Sequence, residues 1–150
     1  MTHEVQERLR ARGLRATVSR VAVLRVLEAS DDHPRVEQVI DRVRASGVSI
    51  STQAAYDVCD ALREASLARR IQPADSPARY EARVGDNHHH VVCRGCGTTA
   101  DVDCATGLTP CLAAAQTHGF VIDEAEVTYW GLCPACKAPA DETKEPAHGR

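Results

Sequence analysis

Apolar positions in the first half of the chain recur at helical spacing. Val18, Val21, Ala22, Leu24, Val26 and Leu27 form one stripe after Gly13, the recurrence of an amphipathic helix. Asp31-Asp32-His33-Pro34 breaks that pattern and starts a second helix, on which Val36, Val39, Ile40 and Val43 repeat it until Gly47. Ser51 then offers an N-cap oxygen, and Ala54, Ala55, Val58, Cys59 and Leu62 make the buried stripe of a third helix running to about Ser66. Its open side carries Thr52, Gln53, Tyr56, Asp57 and Arg63. Residues 67–72 and 78–83 read as two short strands joined by Pro73-Ala74-Asp75-Ser76-Pro77, with Arg69, Arg70 and Arg79 along them. Three helices and a basic hairpin describe a winged helix-turn-helix. The third helix would enter a DNA major groove, with Gln53 and Tyr56 at base edges and wing arginines on phosphate. A helix-rich domain with an ordinary solvated face, and Tyr56 as a half-buried core aromatic, accounts for the same pattern.

The second half changes to alternation. A strand through His88-His89-His90-Val91-Val92-Cys93 puts His88 and His90 on one face and His89 on the other. His33, Glu81 and Asp101 can converge with that pair, and such a mixed nitrogen and oxygen set suits Fe(II), Mn(II) or Zn(II). Each residue also has a simpler place, as a helix cap, a turn residue or part of a surface histidine run.

Cys93-Arg94-Gly95-Cys96 and Cys133-Pro134-Ala135-Cys136 are separated by 36 residues. Two such pairs can close a tetrahedral thiolate cage around Zn2+. Two disulfides would instead need an oxidising compartment. The N-terminus is charged, without an apolar h-region, no apolar run reaches membrane-spanning length, and the seven cysteines leave one over from any pairing. We therefore expect a cytoplasmic protein with reduced thiols and no membrane partner.

Composition separates the halves. Residues 1–83 carry 14 Lys and Arg against 12 Asp and Glu, whereas residues 84–150 carry 4 against 9, within an overall net charge of −3. Six arginines (Arg8, Arg10, Arg12, Arg15, Arg20 and Arg25) face only Glu4 and Glu7 in the first 25 residues, a local basic field suited to phosphates or to a solvated helix face.

The chain resembles the ferric uptake regulator family to about Lys137. The resemblance is carried by Gly13-Leu14-Arg15-Ala16-Thr17 with Arg20, by His33, by residues 51–58, by Arg79-Tyr80-Glu81, by residues 88–97 and by residues 129–136. Residues 84–90, 100–104, 110–112 and 123–127 place the resemblance nearest the actinobacterial FurA/CatR-type peroxide-responsive repressors of catalase-peroxidase genes. It implies an α+β chain: a winged-helix DNA-binding domain over 1–83, a hinge over 84–87, a small α/β dimerisation and metal-binding domain over 88–137, and a disordered tail over 138–150. It further implies that Cys93, Cys96, Cys133 and Cys136 hold structural Zn2+, that His33, Glu81, His88, His90 and Asp101 hold regulatory Fe2+ or Mn2+, and that a homodimer binds an inverted-repeat operator. The DNA-facing set is then Arg15, Thr17, Arg20, Thr52, Gln53, Tyr56, Arg69 and Arg70. An iron or zinc uptake repressor of the same family is the alternative function. Cys104 and Cys111 lie outside the zinc set and could form a redox disulfide. Asp57 stands where many relatives have Arg, and should repel phosphate. A thiol-disulfide oxidoreductase would need one Cys pair at a helix start, and a metallohydrolase would need an open zinc position beside His88 and His90 with Glu81 as base.

Overall fold

The computed structural model describes residues 2–84, 88–103, 114, 116–122 and 125–137. Four helices, α1 (Thr2–Ala11), α2 (Val18–Glu28), α3 (Val36–Ala45) and α4 (Thr52–Glu64), precede five strands, β1 (Arg69–Ile71), β2 (Arg79–Glu81), β3 (His88–Cys93), β4 (Thr99–Asp103) and β5 (Thr128–Gly131). The fold is α+β.

Local chemistry sets the helix ends. The Thr17 hydroxyl accepts from Arg20 N–H (3.3 Å) at the start of α2, and Ser51 accepts from Ala54 N–H (3.1 Å) at the start of α4, each satisfying a first-turn donor with no partner inside the helix. Gly47, at φ +88°, ends the turn after α3 in the left-handed region that glycine enters without a Cβ penalty.

The stripes of α2, α3 and α4 meet in one core. Leu24, Leu27, Val39, Val43, Ala55, Cys59 and Leu62 are buried there with Val23, and Leu67, Ala68 and Tyr80 close it from the hairpin side. The Cys59 thiol is core, and burial pushes it up to about 12. Two features depart from the expected pattern. Val18, expected on the α2 stripe, is 70% exposed, because it is the first helical residue after the Thr17 cap and points away from the core. The first helix, α1, was not expected at all, since only Val5 and Leu9 of its ten residues are buried.

The hairpin pairs Arg69 with Glu81, Arg70 with Tyr80 and Ile71 with Arg79. Tyr80 N–H also donates to Pro34 O (3.0 Å), which ties β2 to the segment between α2 and α3. The second sheet has the order β4-β3-β5, with β3 antiparallel to β4 and parallel to β5. Its register sets His90 opposite Asp101 and Cys93 opposite Gly131, so one strand feeds both the histidine–carboxylate group and the cysteine group. Of the expected hinge only Val84 is described. Residues 85–87, the tail over 138–150, Cys104 and Cys111 lie outside the described residues. Among the described residues, no helix is long and apolar enough to cross a membrane.

Candidate metal centres and DNA-facing residues

Three buried imidazoles and two carboxylates meet where the hairpin touches the second sheet. His33 Nε2 lies 3.0 Å from Glu81 Oε2 and 2.6 Å from Asp101 Oδ1. His88 Nε2 lies 3.0 Å, and His90 Nε2 3.2 Å, from Glu81 Oε1. Asp101 Oδ1 is also 3.5 Å from His88 Nε2 and 3.3 Å from His90 Nε2. His33, Glu81, His88 and His90 are all buried, and only Asp101 opens to solvent. Of the sequence-derived five, His33, Glu81, His90 and Asp101 have ligand atoms all within 4.8 Å of one another, and His88 joins them through Glu81.

The donor chemistry fits a cation. His33 Nδ1 lies 3.1 Å from the carbonyl of Thr99, and a carbonyl only accepts, so Nδ1 carries the proton. A neutral ring then aims a bare Nε2 lone pair at two carboxylates. That contact is repulsive unless Nε2 takes a second proton or a metal ion sits between. Burial lowers the His33 pKa, but the hydrogen bonds to Glu81 and Asp101 outweigh it and leave the net value raised. Burial pushes Glu81 up, yet its bonds to His33, His90 and His88 hold it well below the carboxylate range. Octahedral ligands about 2.1 Å from an ion stand roughly 3 Å from their neighbours, the spacing of these atoms. A mixed imidazole and carboxylate set suits first-row divalent ions. His33 itself has φ +51°, a left-handed conformation that costs a non-glycine residue free energy and persists where its surroundings enforce it.

The four cysteines form a second cluster, with ligand atoms mutually within 4.8 Å. Zn–S bonds of about 2.3 Å in a tetrahedron put the sulfurs roughly 3.8 Å apart, and Cys96 Sγ and Cys133 Sγ are 3.6 Å apart. A Cβ on Gly95 would stand 3.0 Å from Cys136 Sγ, tighter than an ordinary contact, so a side chain there would press on the sulfurs. Backbone N–H groups of Cys133 and Cys96 bring the Cys93 thiol down to about 6, while hydrogen bonds from the Cys133, Cys96 and Cys93 sulfurs push Cys136 up to about 12. Without a cation the sulfurs share protons, whereas zinc takes all four as thiolates. Cys93 ends a strand and Cys133–Cys136 spans a turn, so neither pair sits at the helix start that a thiol-disulfide catalyst uses.

Thr99 and Arg83, which the sequence did not single out, and Arg79, which it placed along the wing, hold these side chains. Thr99 fixes the His33 tautomer. Arg83 lies 3.3 Å from Asp101 Oδ2 and 2.8 Å from Asp103 Oδ1. Arg79 is buried, and its Nη1 donates to His33 O (3.1 Å). Alternation along β2 is the one signal that could have hinted at Arg79.

On the far side, Thr52, Gln53 and Tyr56 of α4 are exposed with Arg15, Thr17 and Arg70, and Arg20 and Arg69 are partly covered. Gln53 Nε2 donates to Asp57 Oδ1 (2.9 Å) and Tyr56 OH to Glu37 Oε1 (3.0 Å). Arg20 Nη1 donates to Arg15 O (3.1 Å) and Arg70 to Gln72 Oε1 (2.8 Å), while Arg69 reaches Glu126 at 4.0 Å.

The sequence profile of the ferric uptake regulator family matches residues 11–130. The transcriptional regulator FurA of Mycobacterium tuberculosis (strain ATCC 25618 / H37Rv) is 56% identical over 130 residues, covering 87% of this chain and 88% of that protein. The Helicobacter pylori ferric uptake regulator, whose structure is described as having three functional metal binding sites, superposes with a TM-score of 0.69 at 18% identity, over 93% of this chain and 96% of its own. A zinc uptake regulator in complex with zinc and DNA superposes with a TM-score of 0.61 at 19% identity, over 90% and 91%.

Proposed function

The chain belongs to the ferric uptake regulator family, whose members are transcriptional regulators and not enzymes, and on that premise we propose that it is a homodimeric, metal-dependent, peroxide-responsive repressor of a catalase-peroxidase gene and of its own gene. One observation carries the reading: side chains able to ligate a metal come together from the α2–α3 junction, the hairpin and the second sheet, His33, Glu81, His90 and Asp101 with ligand atoms within 4.8 Å of one another and His88 against Glu81. Glu81 and His33 come with the helical unit, whereas His88, His90 and Asp101 come with the sheet. Removing an ion from this set leaves buried carboxylates and lone pairs facing one another, so the arrangement of the two units depends on occupancy. Coupling of about 1–3 kcal/mol, ordinary for linked sites, changes operator affinity by roughly 5- to 150-fold. The thiolate cluster is assigned to structural Zn2+, and the mixed cluster to regulatory Fe2+ or Mn2+.

Each residue has a role in that scheme. Glu81 bridges all three imidazoles. Thr99 holds the His33 proton on Nδ1 so that Nε2 faces the ion. Fe(II) held by these residues would activate peroxide, so that one oxygen could replace a ring hydrogen of an adjacent imidazole and the other leave as water, with the ring supplying the net two electrons. His33 or His88, once oxygenated, would no longer donate a lone pair, and the operator would be released. Cys104 and Cys111 give a second, thiol-based route.

Dimerisation is supported by the edge of the second sheet. Among the described residues β5 lies at one end of the β4-β3-β5 order and carries exposed Tyr129 and Trp130, with Leu132 just after it, and an edge strand with exposed apolar side chains favours pairing with another chain. The paired winged helices would set α4 of each subunit over one half of an inverted repeat of double-stranded DNA. Thr52, Gln53 and Tyr56 would face base edges, and Arg15, Thr17, Arg20, Arg69 and Arg70 the backbone. Such a regulator works in the cytoplasm.

The test is anaerobic binding of Fe(II)-loaded protein to the DNA upstream of its own gene, before and after stoichiometric peroxide, with Mn(II)-loaded protein as control. Loss of binding with iron alone, with oxygen added to His33 or His88 by peptide mass, supports the proposal. A Cys104–Cys111 disulfide instead assigns the response to thiols. Metal-dependent binding that survives peroxide in both forms favours an iron or zinc uptake repressor.

A further inference from the structure

Arg79 lies between the two candidate centres, on the strand that also carries Glu81. It sits on β2 two residues before Glu81, is 9% exposed, and lends no atom to either centre. Its Nη1 donates to the carbonyl of His33 at 3.1 Å. Its Nη2 lies against the zinc knuckle, where a Cβ added to Gly97 would meet it at 3.2 Å. Gly97 immediately follows Cys96, and its N–H donates to Cys93 O (2.9 Å). Burial and the neighbouring Arg35 lower the Arg79 pKa, and Asp32 and Cys96 partly offset them.

These contacts form a closed loop. His33 is held in its left-handed conformation from three directions: Arg79 at its own carbonyl, Tyr80 N–H at the neighbouring Pro34 carbonyl, and Thr99 O at its ring. Thr99 opens β4, one turn after the knuckle, and its hydroxyl donates to Gly97 O (3.2 Å). The knuckle therefore reaches the His33 ring through Thr99 and the His33 backbone through Arg79. A tetrathiolate zinc centre carries two net negative charges, for which a buried guanidinium beside Cys96 is the natural counter-charge.

We propose that Arg79 is a positioning residue that couples the two centres: its forked guanidinium bridges the zinc knuckle at Gly97 and the backbone of His33, so that an ordered knuckle presents His33 for the second metal and a filled second site protects the zinc. This rests on the reading of the mixed cluster as a metal site. Arginine suits the task because its planar group can donate to the His33 carbonyl from one nitrogen while the other lies against Gly97, which a lysine ammonium cannot reproduce.

The experiment uses the full chain, zinc-loaded and anaerobic, with Mn(II) as the probe. Mn(II) binding is followed by the loss of the free-ion electron paramagnetic resonance signal, and zinc release by transfer to a chromogenic chelator with and without Mn(II). In the parent protein Mn(II) should slow zinc release several-fold. Arg79→Ala should keep one zinc per chain, bind Mn(II) about 10- to 100-fold more weakly, the usual cost of losing a second-shell partner, and lose the protection. Arg79→Lys keeps the charge and the stem, so it guards against a variant that fails to fold; it should retain part of the Mn(II) affinity but none of the protection. Parent-like affinity or parent-like protection in the folded variants overturns the proposal. His33→Ala separates the two readings: if it binds Mn(II) as the parent does, the mixed cluster is no metal site and both readings fall, whereas a loss in His33→Ala with no change at Arg79 overturns the coupling alone.

Discussion

His33 Nε2 and Asp101 Oδ1 stand 2.6 Å apart although 68 residues separate them in the chain. One belongs to the junction before α3 and the other to β4, so this contact crosses between the helical core and the second sheet. Two such groups, one buried and one half-open, approach so closely only if a proton or a cation lies between them.

Replacing His33 tests the cation. His33→Ala should keep its zinc and its helical core, because Leu24, Leu27 and Val39 do not depend on it. It should lose second-site Mn(II) affinity by on the order of 100-fold or more, the upper range even for outer-shell losses. Zinc content by elemental analysis and an Mn(II) titration check both parts.

Metal-free stability and metal affinity should respond oppositely to pH. The His33 pKa is raised above its ordinary 6.5, so its contribution to the metal-free fold is complete below that value and fades as pH rises through the higher folded value. Glu81 is lowered from its ordinary 4.5, so its contribution is present above 4.5 and is lost as pH falls through the lower folded value. Between these limits the metal-free protein gains most from the cluster. Mn(II) must displace the His33 proton, so its affinity should climb where that stability declines. Parallel thermal melts and Mn(II) titrations from pH 5 to 9 check this; affinity that does not change with pH would count against His33 as a ligand.

Much of the fold was legible because its signals are local. The α2, α3 and α4 stripes, the Ser51 cap and the Gly47 stop each depend on residues within one or two turns, and C-x-x-C pairs name their own chemistry. The alternation in residues 88–93 placed His88 and His90 together. Other features depend on distant partners. α1 has just two buried apolar residues, and a stripe that thin is indistinguishable from a solvated charged segment. The parallel pairing of β3 with β5 joins residues about 40 apart, and no short pattern announces it. Arg79 reads as one more wing arginine; only the tertiary structure turns it inward to the His33 carbonyl. Val18 misled because periodicity cannot tell a first-turn residue facing outward from one facing the core.

Zinc should matter most to the second sheet. Cys93 and Cys96 flank the turn between β3 and β4, while Cys133 and Cys136 follow β5, so the cluster ties both edge strands to the central one. Metal binding in such small units contributes directly to folding. Cys133→Ser should release zinc and abolish protection of β3–β5 amides in hydrogen exchange, while α2–α4 amides remain protected. Uniform loss across the chain would show that the helical core does not stand alone.

Gln53 and Asp57 are paired on the exposed face of α4, the helix proposed to meet DNA. The carboxylate accepts from the Gln53 amide at 2.9 Å, one helical turn away, and so restrains the side chain expected to meet a base edge while adding a negative charge beside the phosphates. These two effects separate by mutation. Gln53→Ala removes a base contact, and should reduce discrimination between operator and mismatched DNA by about 1–3 kcal/mol, the range for one good base pairing, with little change on random sequence. Asp57→Ala removes repulsion and restraint together: affinity for all DNA should rise, most at low salt, while the operator's advantage over random sequence shrinks. Titrations of both variants on operator and scrambled duplexes at two salt concentrations check this. Equal weakening on every duplex would assign Asp57 to folding of α4 rather than to control of Gln53.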